Sequence, residues 1–139
     1  MHNDKRIGII GGFGWMGRSL GQAALAQGML EPAQLIVSSR SAQAALYADW
    51  PGVKMTTDNQ QLVELADLIV LSIRPQDLPA LSVNAQGKTV ISLLAMTDAD
   101  QLTQQLKTNR IVRAMPNAAA EIGRAFYPWW AAEAVPQAD

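Results

Sequence analysis

A glycine-rich stretch directly after a short apolar run is the feature that most limits what this chain can fold into. The run, residues 7–10, contains three isoleucines, and β-branched residues in such a run are typical of a buried strand in a parallel sheet. Gly12, Gly14 and Gly17 follow with the spacing Gly-x-Gly-x-x-Gly. Apolar residues at helical spacing come next, and Gly28 is placed to end the predicted helix.

The spacing of these glycines indicates a phosphate-binding turn. We expect Gly12 to let the chain reverse, Gly14 to let a pyrophosphate approach the backbone, and Gly17 to let the helix pack closely on the strand. The unpaired amides and the dipole at the start of the helix attract anions. The alternative is a tight connection that binds nothing. We predict a nucleotide-binding turn made of Gly12, Phe13, Gly14, Trp15, Met16 and Gly17.

The rest of the chain alternates between strand and helix patterns. Further strands are predicted at 35–37, 53–55, 68–73, 89–94 and 111–115, with a weaker one at 123–130; helices are predicted at 42–49, 58–65 and 97–106. Ser41 is the predicted N-cap of the helix at 42–49 and Asp58 that of the helix at 58–65. Thr97 with Asp100 forms a predicted capping box for the helix at 97–106. This order predicts an α/β fold, a Rossmann-type doubly wound, mainly parallel sheet with helices on both faces and with the 68–73 strand at its centre.

Composition limits the class of protein. A chain of 139 residues is expected to form a single domain, residues 1–139. A net charge of -1 argues against nucleic acid as a partner. The chain has no 18-residue apolar stretch and no secretory signal, so we expect a cytoplasmic protein without a membrane partner. Because cysteine is absent, disulfides and thiolate chemistry are excluded, and we expect no metal site.

The end of the second predicted strand indicates which dinucleotide is bound. Folds that prefer NAD place an acid there to bind the ribose, whereas NADP requires cationic and hydroxyl donors for its 2′-phosphate. This chain has Ser38, Ser39 and Arg40 and no acid. The alternative is that Ser41 only caps the next helix and Arg40 is a solvated charge, although a cap and a phosphate ligand are compatible. The pattern favours NADP(H).

The absence of several residue pairs narrows the chemistry. His2 is the only histidine and lies at the terminus, which argues against a histidine-carboxylate proton relay. Tyr47 and Tyr127 are followed four residues later by Pro51 and Ala131, so the Tyr-x-x-x-Lys pair of short-chain dehydrogenases is missing. What remains is a reaction that depends on positioning, such as hydride delivery to an iminium carbon. No catalytic residue is assigned.

Several separated segments together resemble the N-terminal, cofactor-binding domain of pyrroline-5-carboxylate reductase. The matching segments, in the family's order, are residues 7–17, 38–40, 56–59, 73–76, 91–95 and 115–117. Besides the glycine turn, the resemblance implies that NADPH contacts Ser39, Arg40, Asn59, Ser72, Ile73, Arg74, Pro75, Leu94, Ala95 and Met96, with Asn117 near the nicotinamide. The family reduces a cyclic imine, 1-pyrroline-5-carboxylate, to proline.

The resemblance also implies that part of the enzyme is missing. The family joins this domain to a helical C-terminal domain that dimerises and completes the substrate site, so we expect a truncated domain that lacks part of that site. Arg74 replaces the family's usual Lys, and Met96 replaces a Gly. Two other interpretations stay open: a non-catalytic NADP-binding or interaction module, and a prephenate-dehydrogenase-like or other β-hydroxyacid-like reductase, since GGFGWMG is similar to the opening of prephenate dehydrogenases.

Trp129 and Trp130 are a second candidate for partner contact. Neighbouring residues of a strand point to opposite faces, so at least one of these side chains is expected to face away from the core of this domain. Aromatic residues are enriched at interfaces, but both rings could equally be covered locally. The expected partners are an imino-acid substrate, if the chain is catalytic, and a second copy or a partner domain bound through this segment.

Overall fold

The computed structural model describes residues 4–41, 43–115 and 129–137 and shows a seven-stranded sheet with three α-helices. The strands are β1 (Ile7–Ile10), β2 (Leu35–Ser38), β3 (Lys54–Thr56), β4 (Leu68–Leu71), β5 (Thr89–Ser92), β6 (Ile111–Ala114) and β7 (Trp129–Ala131). The helices are α1 (Trp15–Ala26), α2 (Asn59–Leu65) and α3 (Ala99–Leu106), and three short 3₁₀ helices span Pro32–Gln34, Ala44–Tyr47 and Pro75–Ala80. None of the described helices is long and apolar enough to cross a membrane.

The order of the strands is β3-β2-β1-β4-β5-β6-β7, which confirms the predicted doubly wound α/β fold. Strands β1 to β6 run parallel and β7 pairs antiparallel with β6. Strand β4 lies at the centre, as its run of apolar residues predicted. The chain winds from β1 toward β3 and then crosses to β4 on the other side of β1. Ligands of such sheets bind outside the carboxyl ends of the strands at this reversal.

One face of the sheet is covered along most of its width. We call it the closed face; its strand residues are Ile10, Ile36, Ile69, Leu71, Val90 and Ile111, all buried. Helices α2 and α3 pack on it through Leu62, Val63, Leu102 and Leu106, and these residues belong to one apolar cluster with the strand residues. This cluster is the larger core of the domain.

The opposite face, which we call the open face, is covered over β1 and β2 by α1 and the 3₁₀ helix Ala44–Tyr47. Its core joins Ile9 and Val37 to Leu25 of α1 and to Tyr47. Toward β7, among the described residues, this face forms an apolar groove of about 740 Å³. The groove is lined by Leu20, Leu68, Val70, Thr89, Ile91, Leu93, Val112, Ala114, Trp129, Ala131, Val135, Pro136 and Gln137.

The structure corrects two predicted helix starts. In place of a helix over 42–49, the described part of this segment holds only the 3₁₀ helix Ala44–Tyr47, with Gln43 as its N-cap. Ser41 does not cap it, because Gln43 holds the N-cap position; the backbone N–H and C=O of Ser41 bond to the hydroxyl of Ser39. Residue 42 lies outside the described residues.

The capping box of α3 is one residue out of step with the prediction. Asp98 is the N-cap: its carboxylate accepts from the Gln101 N–H, and the Gln101 side chain accepts from the Asp98 N–H. Thr97 is buried and donates to the Ala95 carbonyl. The N-cap prediction at the start of α2 is confirmed, because the Asp58 carboxylate accepts from the backbone N–H groups of Gln60 and Gln61.

Two strands end two residues earlier than predicted. β4 ends at Leu71 rather than at residue 73, and β5 ends at Ser92 rather than at residue 94. Of the predicted strand at 123–130, residues 129 and 130 fall in β7, and residues 123–128 lie outside the described residues.

Candidate dinucleotide-binding site

A cleft of about 450 Å³ lies at the carboxyl ends of β1, β2 and β4, where the winding of the sheet reverses. It opens beside the glycine turn and the start of α1. Its lining is formed by Ile10, Gly11, Phe13, Gly14, Ser39, Arg40, Ser41, Gln43, Asn59, Ser72, Ile73, Arg74, Asp77, Ala80 and Leu81. The position is the one at which doubly wound sheets bind nucleotides.

The glycine turn begins one residue earlier than predicted. Gly11, not Gly12, has the left-handed backbone, with φ +85°, and a Cβ at Gly11 would overlap the Ser72 carbonyl oxygen. The N–H groups of Gly11 and Gly12 both donate to the Ser38 carbonyl, at 2.8 and 3.0 Å. The turn is therefore tied to the end of β2.

Gly17 has the role that its spacing predicted. A Cβ at Gly17 would overlap the carbonyl oxygen of Gly11, so only a glycine lets α1 pack this closely on the turn. Gly12 is also held by close approach, because a Cβ there would lie 2.7 Å from Val37 Cβ. Both contacts fix the start of α1 against β1 and β2.

Gly14 differs from these glycines because no protein contact requires it. A Cβ at Gly14 would come no closer than 3.4 Å to the protein, an ordinary van der Waals distance, and its φ of -72° is open to any residue. Gly14 lines the cleft as the N-cap of α1, and the first turn of the helix, Trp-Met-Gly-Arg, contains no acid. The missing side chain leaves space next to a helix N-terminus, as a bound diphosphate requires.

Tyr47 supports the turn from beneath. Its hydroxyl donates to the Gly12 carbonyl at 2.6 Å, and its ring meets Phe13 edge to face with centroids 5.7 Å apart. The side chain is 1% exposed. Burial raises the pKa of Tyr47 to about 12, so it stays a hydrogen-bond donor throughout the physiological range. The turn thus rests on a fixed aromatic support.

Ser38 and Asn59 form a second support, between β2 and α2. The buried Ser38 hydroxyl donates to Asn59 Oδ1 at 2.7 Å. Asn59 is the first residue of α2 and lines the cleft. Ser38 itself is not in the lining: its side chain holds Asn59, and its carbonyl holds the glycine turn.

Two arginines and one aspartate form the charged rim of the cleft. Asp77 Oδ1 accepts from Nη2 of Arg40 at 2.9 Å, and Asp77 Oδ2 accepts from Nε of Arg74 at 2.9 Å. The arginine side chains are 77% and 67% exposed, whereas the aspartate side chain is 23% exposed. The hydrogen bond from Arg74, and next the bond and charge of Arg40, hold the pKa of the Asp77 carboxyl below its ordinary value.

The cleft brings together many of the residues that the sequence predicted. Those in the lining are Phe13, Gly14, Ser39, Arg40, Asn59, Ser72, Ile73 and Arg74. The other predicted residues of these segments are not in the lining: Gly12, Trp15, Ser38 and Pro75 each adjoin a lining residue in the chain, whereas Met16 and Gly17 lie further along α1. Pro75 begins the 3₁₀ helix that holds Asp77, as its place after β4 predicted.

The third predicted group follows β5 and lies apart from the lining. Leu94 is buried in the core of the closed face, while Met96 is 97% exposed and has φ +54°. Ala95 is exposed between them. Asn117 lies outside the described residues, so its predicted place near a nicotinamide is not described.

The lining also contains residues that the sequence did not assign to the site, among them Gly11 and Asp77. Gly11 escaped because the Gly-x-Gly-x-x-Gly pattern starts at Gly12, although the Gly11-Gly12 pair was a visible signal of an earlier turn. Asp77 was passed over because acids were considered as coenzyme contacts only at the end of the second predicted strand. Its place three residues after Arg74, at the end of a central strand, was the available signal.

Comparisons with known proteins agree with this geometry. A family model described as "NADP oxidoreductase coenzyme F420-dependent" matches residues 6–96, and its description names the coenzyme that the end of the second strand predicted. The chain is 33% identical over 115 residues to a pyrroline-5-carboxylate reductase of Thermus thermophilus, covering 81% of this chain and 43% of that protein. It is 34% identical over 140 residues to one of Methanosarcina acetivorans, covering 90% and 48%.

A solved structure extends the likeness to the whole sheet. A pyrroline-5-carboxylate reductase of Coxiella burnetii superposes with a TM-score of 0.86 at 28% identity, covering 98% of this chain and 53% of that one. The chain spans about half the length of the curated relatives that it matches, and the predicted resemblance to pyrroline-5-carboxylate reductases is confirmed over that half. Since the family model covers well over half of its residues, the chain belongs to the family of NADP oxidoreductases described as coenzyme F420-dependent.

Proposed function

We propose that this chain is the NADP(H)-binding domain of an oxidoreductase resembling pyrroline-5-carboxylate reductase. The observation that carries the proposal is the open space at Gly14 in the same cleft as the guanidinium groups of Arg40 and Arg74. The first suits a diphosphate and the second suits the 2′-phosphate that distinguishes NADP from NAD. The name of the family model points to the same coenzyme.

The chain's own residues would hold the coenzyme at four places. The first turn of α1 binds the diphosphate in the space beside Gly14, since the N–H groups of Gly11, Gly12 and Gly14 already donate to carbonyls of the protein. Ser39 and Arg40, on the loop after β2, bind the 2′-phosphate, with Arg74 in the lining of the same cleft. Asn59, fixed by Ser38, and the segment from Ser72 to Pro75 line the walls between. Leu94 to Met96 and Asn117 belong to the nicotinamide end in this proposal.

The reaction proposed for the whole protein is hydride transfer to a cyclic imine. NADPH, when bound, supplies the hydride. This chain contributes the positioning of the coenzyme. Hydride transfer requires the acceptor carbon to lie within about 3–3.5 Å of the donor carbon. The relatives are about twice as long as this chain, so we assign to this domain the binding of the coenzyme. The other wall of the substrate site is assigned to a second copy or a partner domain, with Trp129 and Trp130 as the contact segment.

Coenzyme titration tests the central claim. NADPH and NADH are titrated into the protein while the fluorescence of the coenzyme is followed. We expect NADPH to bind at least about tenfold more tightly than NADH, because a charged fork adds strong hydrogen bonds to the 2′-phosphate. Arg40→Ala should remove most of that preference. Arg6→Ala is the matched control, since Arg6 also pairs with an aspartate, Asp67, but at the amino ends of β1 and β4, away from the cleft.

Two outcomes would contradict the proposal. Equal affinity of the wild-type protein for the two coenzymes would remove the 2′-phosphate role of Arg40, and the absence of any binding would leave only the α/β scaffold. Oxidation of NADPH with 1-pyrroline-5-carboxylate tests the second part: we expect none from this chain by itself. Turnover would show that the chain, or its self-association, completes the substrate site.

A further inference from the structure

The carboxylate of Asp77 occupies the gap between the two guanidinium groups at the rim of the cleft. Arg40 comes from the loop after β2, and Arg74 precedes the 3₁₀ helix that follows β4, so the pair spans the mouth of the site above β1. Both bond to the same carboxylate, at 2.9 Å each. We propose that Asp77 is a specificity-determining residue that weakens selection of NADPH over NADH by competing with the 2′-phosphate for Arg40 and Arg74.

The charge at the rim supports this role. With Asp77 ionised, the three side chains together carry one net positive charge, half of what the two arginines would offer alone. A phosphate monoester brings about two negative charges at neutral pH, and the carboxylate repels it at short range. NADH has no 2′-phosphate, so it loses little from the same repulsion. The competition therefore acts on the difference between the two coenzymes.

The opposite effect, in which Asp77 positions the arginines and so helps the phosphate, is weaker in this geometry. Both arginine side chains are mostly exposed, at 77% and 67%, and exposed ion pairs restrain their partners only slightly. Arg40 uses one nitrogen toward Asp77 and Arg74 uses two, while each guanidinium has five N–H donors. The remaining donors can reach a phosphate without Asp77, whereas the charge of Asp77 opposes that phosphate wherever the side chains move.

The inference rests on the proposed function, and the experiment keeps the two apart. Dissociation constants of NADPH, NADH, adenosine 2′,5′-bisphosphate and AMP are measured for the wild-type protein, Asp77→Asn and Asp77→Ala. The alanine variant shows whether any gain comes from removing the charge rather than from a new amide donor. Glu133→Gln is the matched control, because it removes the same charge from an exposed site at the other edge of the sheet, just after β7. Thermal unfolding checks that each variant is folded.

We expect NADPH and adenosine 2′,5′-bisphosphate to bind about fivefold more tightly to both Asp77 variants, with NADH and AMP changed by less than about twofold. Glu133→Gln should match the wild type. Weaker or unchanged binding of NADPH by a folded Asp77 variant would overturn the inference and leave the proposed function standing. A wild-type protein that binds neither coenzyme would overturn both.

Discussion

The closed face and the open face of the sheet are built from the same strands, but the described part of the chain covers them very differently. On the closed face, α2, α3 and the 3₁₀ helix Pro75–Ala80 bury strand residues from β1, β2, β4, β5 and β6 in one cluster. On the open face, α1 and the 3₁₀ helix Ala44–Tyr47 cover β1 and β2, and the described residues toward β7 line an apolar groove of about 740 Å³.

The handedness of crossover connections explains this difference. Connections between parallel strands are right-handed, so those that move toward β3 lie on one face and those that move toward β6 lie on the other. The connections from β1 to β2 and from β2 to β3 place α1 and Ala44–Tyr47 on the open face. The connections from β3 to β4, β4 to β5 and β5 to β6 place three elements on the closed face. The cleft lies where the two directions part.

The sharpest test of the comparison uses two leucines of β4 that point to opposite faces. Leu71 is fully buried on the closed face, while Leu68 is half-buried in the groove of the open face. Leu71→Ala should lower the free energy of unfolding by about 3–5 kcal/mol, because it leaves a cavity in a closed core. Leu68→Ala should lower the free energy of unfolding by about 1 kcal/mol, since folding buries less of the apolar surface of this side chain than of Leu71. Urea denaturation measures both, and equal losses would show that the groove is covered in the folded protein.

A smaller effect is expected where the open face supports the glycine turn. Tyr47→Phe keeps the ring but removes the hydrogen bond to the Gly12 carbonyl, which is buried. An unsatisfied buried acceptor costs about 1–3 kcal/mol, and we expect about 1–2 kcal/mol by urea denaturation, together with weaker binding of NADPH. A variant with unchanged stability and affinity would mean that the turn does not depend on this face.

The end of β5 offers a gain in stability instead of a loss. Met96 is 97% exposed and has φ +54°, a left-handed backbone conformation that is unfavourable for residues other than glycine. Met96→Gly should raise the free energy of unfolding by about 1 kcal/mol. Met29→Gly is the control, because Met29 is also exposed, at 72%, but lies outside the left-handed region. A loss of stability in Met96→Gly would show that the methionine makes contacts that outweigh its strain.

The smallest effect concerns the pH dependence that Asp77 contributes. The pKa of its carboxyl is lowered from the ordinary 3.8, chiefly by the hydrogen bond from Arg74. A folded-state pKa below the unfolded one adds stability above the unfolded value, and that stability is lost as the pH falls through the lowered folded value. The midpoint of thermal unfolding should therefore be higher for the wild type than for Asp77→Asn at pH 6, and this difference should shrink as the pH is lowered to 2. A difference that is constant with pH would contradict the ion pairs.

Local patterns in the chain were enough to predict most of the elements that make up the fold, although the helix predicted at 42–49 is only a 3₁₀ helix in its described part. The apolar run at residues 7–10, the capping side chain of Asp58 and the central apolar run of β4 each depend on neighbours in sequence, and each is present as predicted. The same is true of the close approach at Gly17. Predictions failed where two local signals competed, as at Asp98, whose carboxylate took the N-cap position in place of Thr97.

The sequence by itself determined the alternation of strands and helices, the glycine turn and the acid-free end of the second strand, because hydrophobic periodicity and turn chemistry act over a few residues. Only the tertiary structure decided that Asp77 bridges Arg40 and Arg74, residues up to 37 positions apart. It also decided that Gly11 carries the left-handed turn beneath Ser72, and that the described residues close one face of the sheet but leave a groove on the other toward β7. These features depend on which strands lie side by side and on the handedness of their connections, and neither can be read from residues that are neighbours only in sequence.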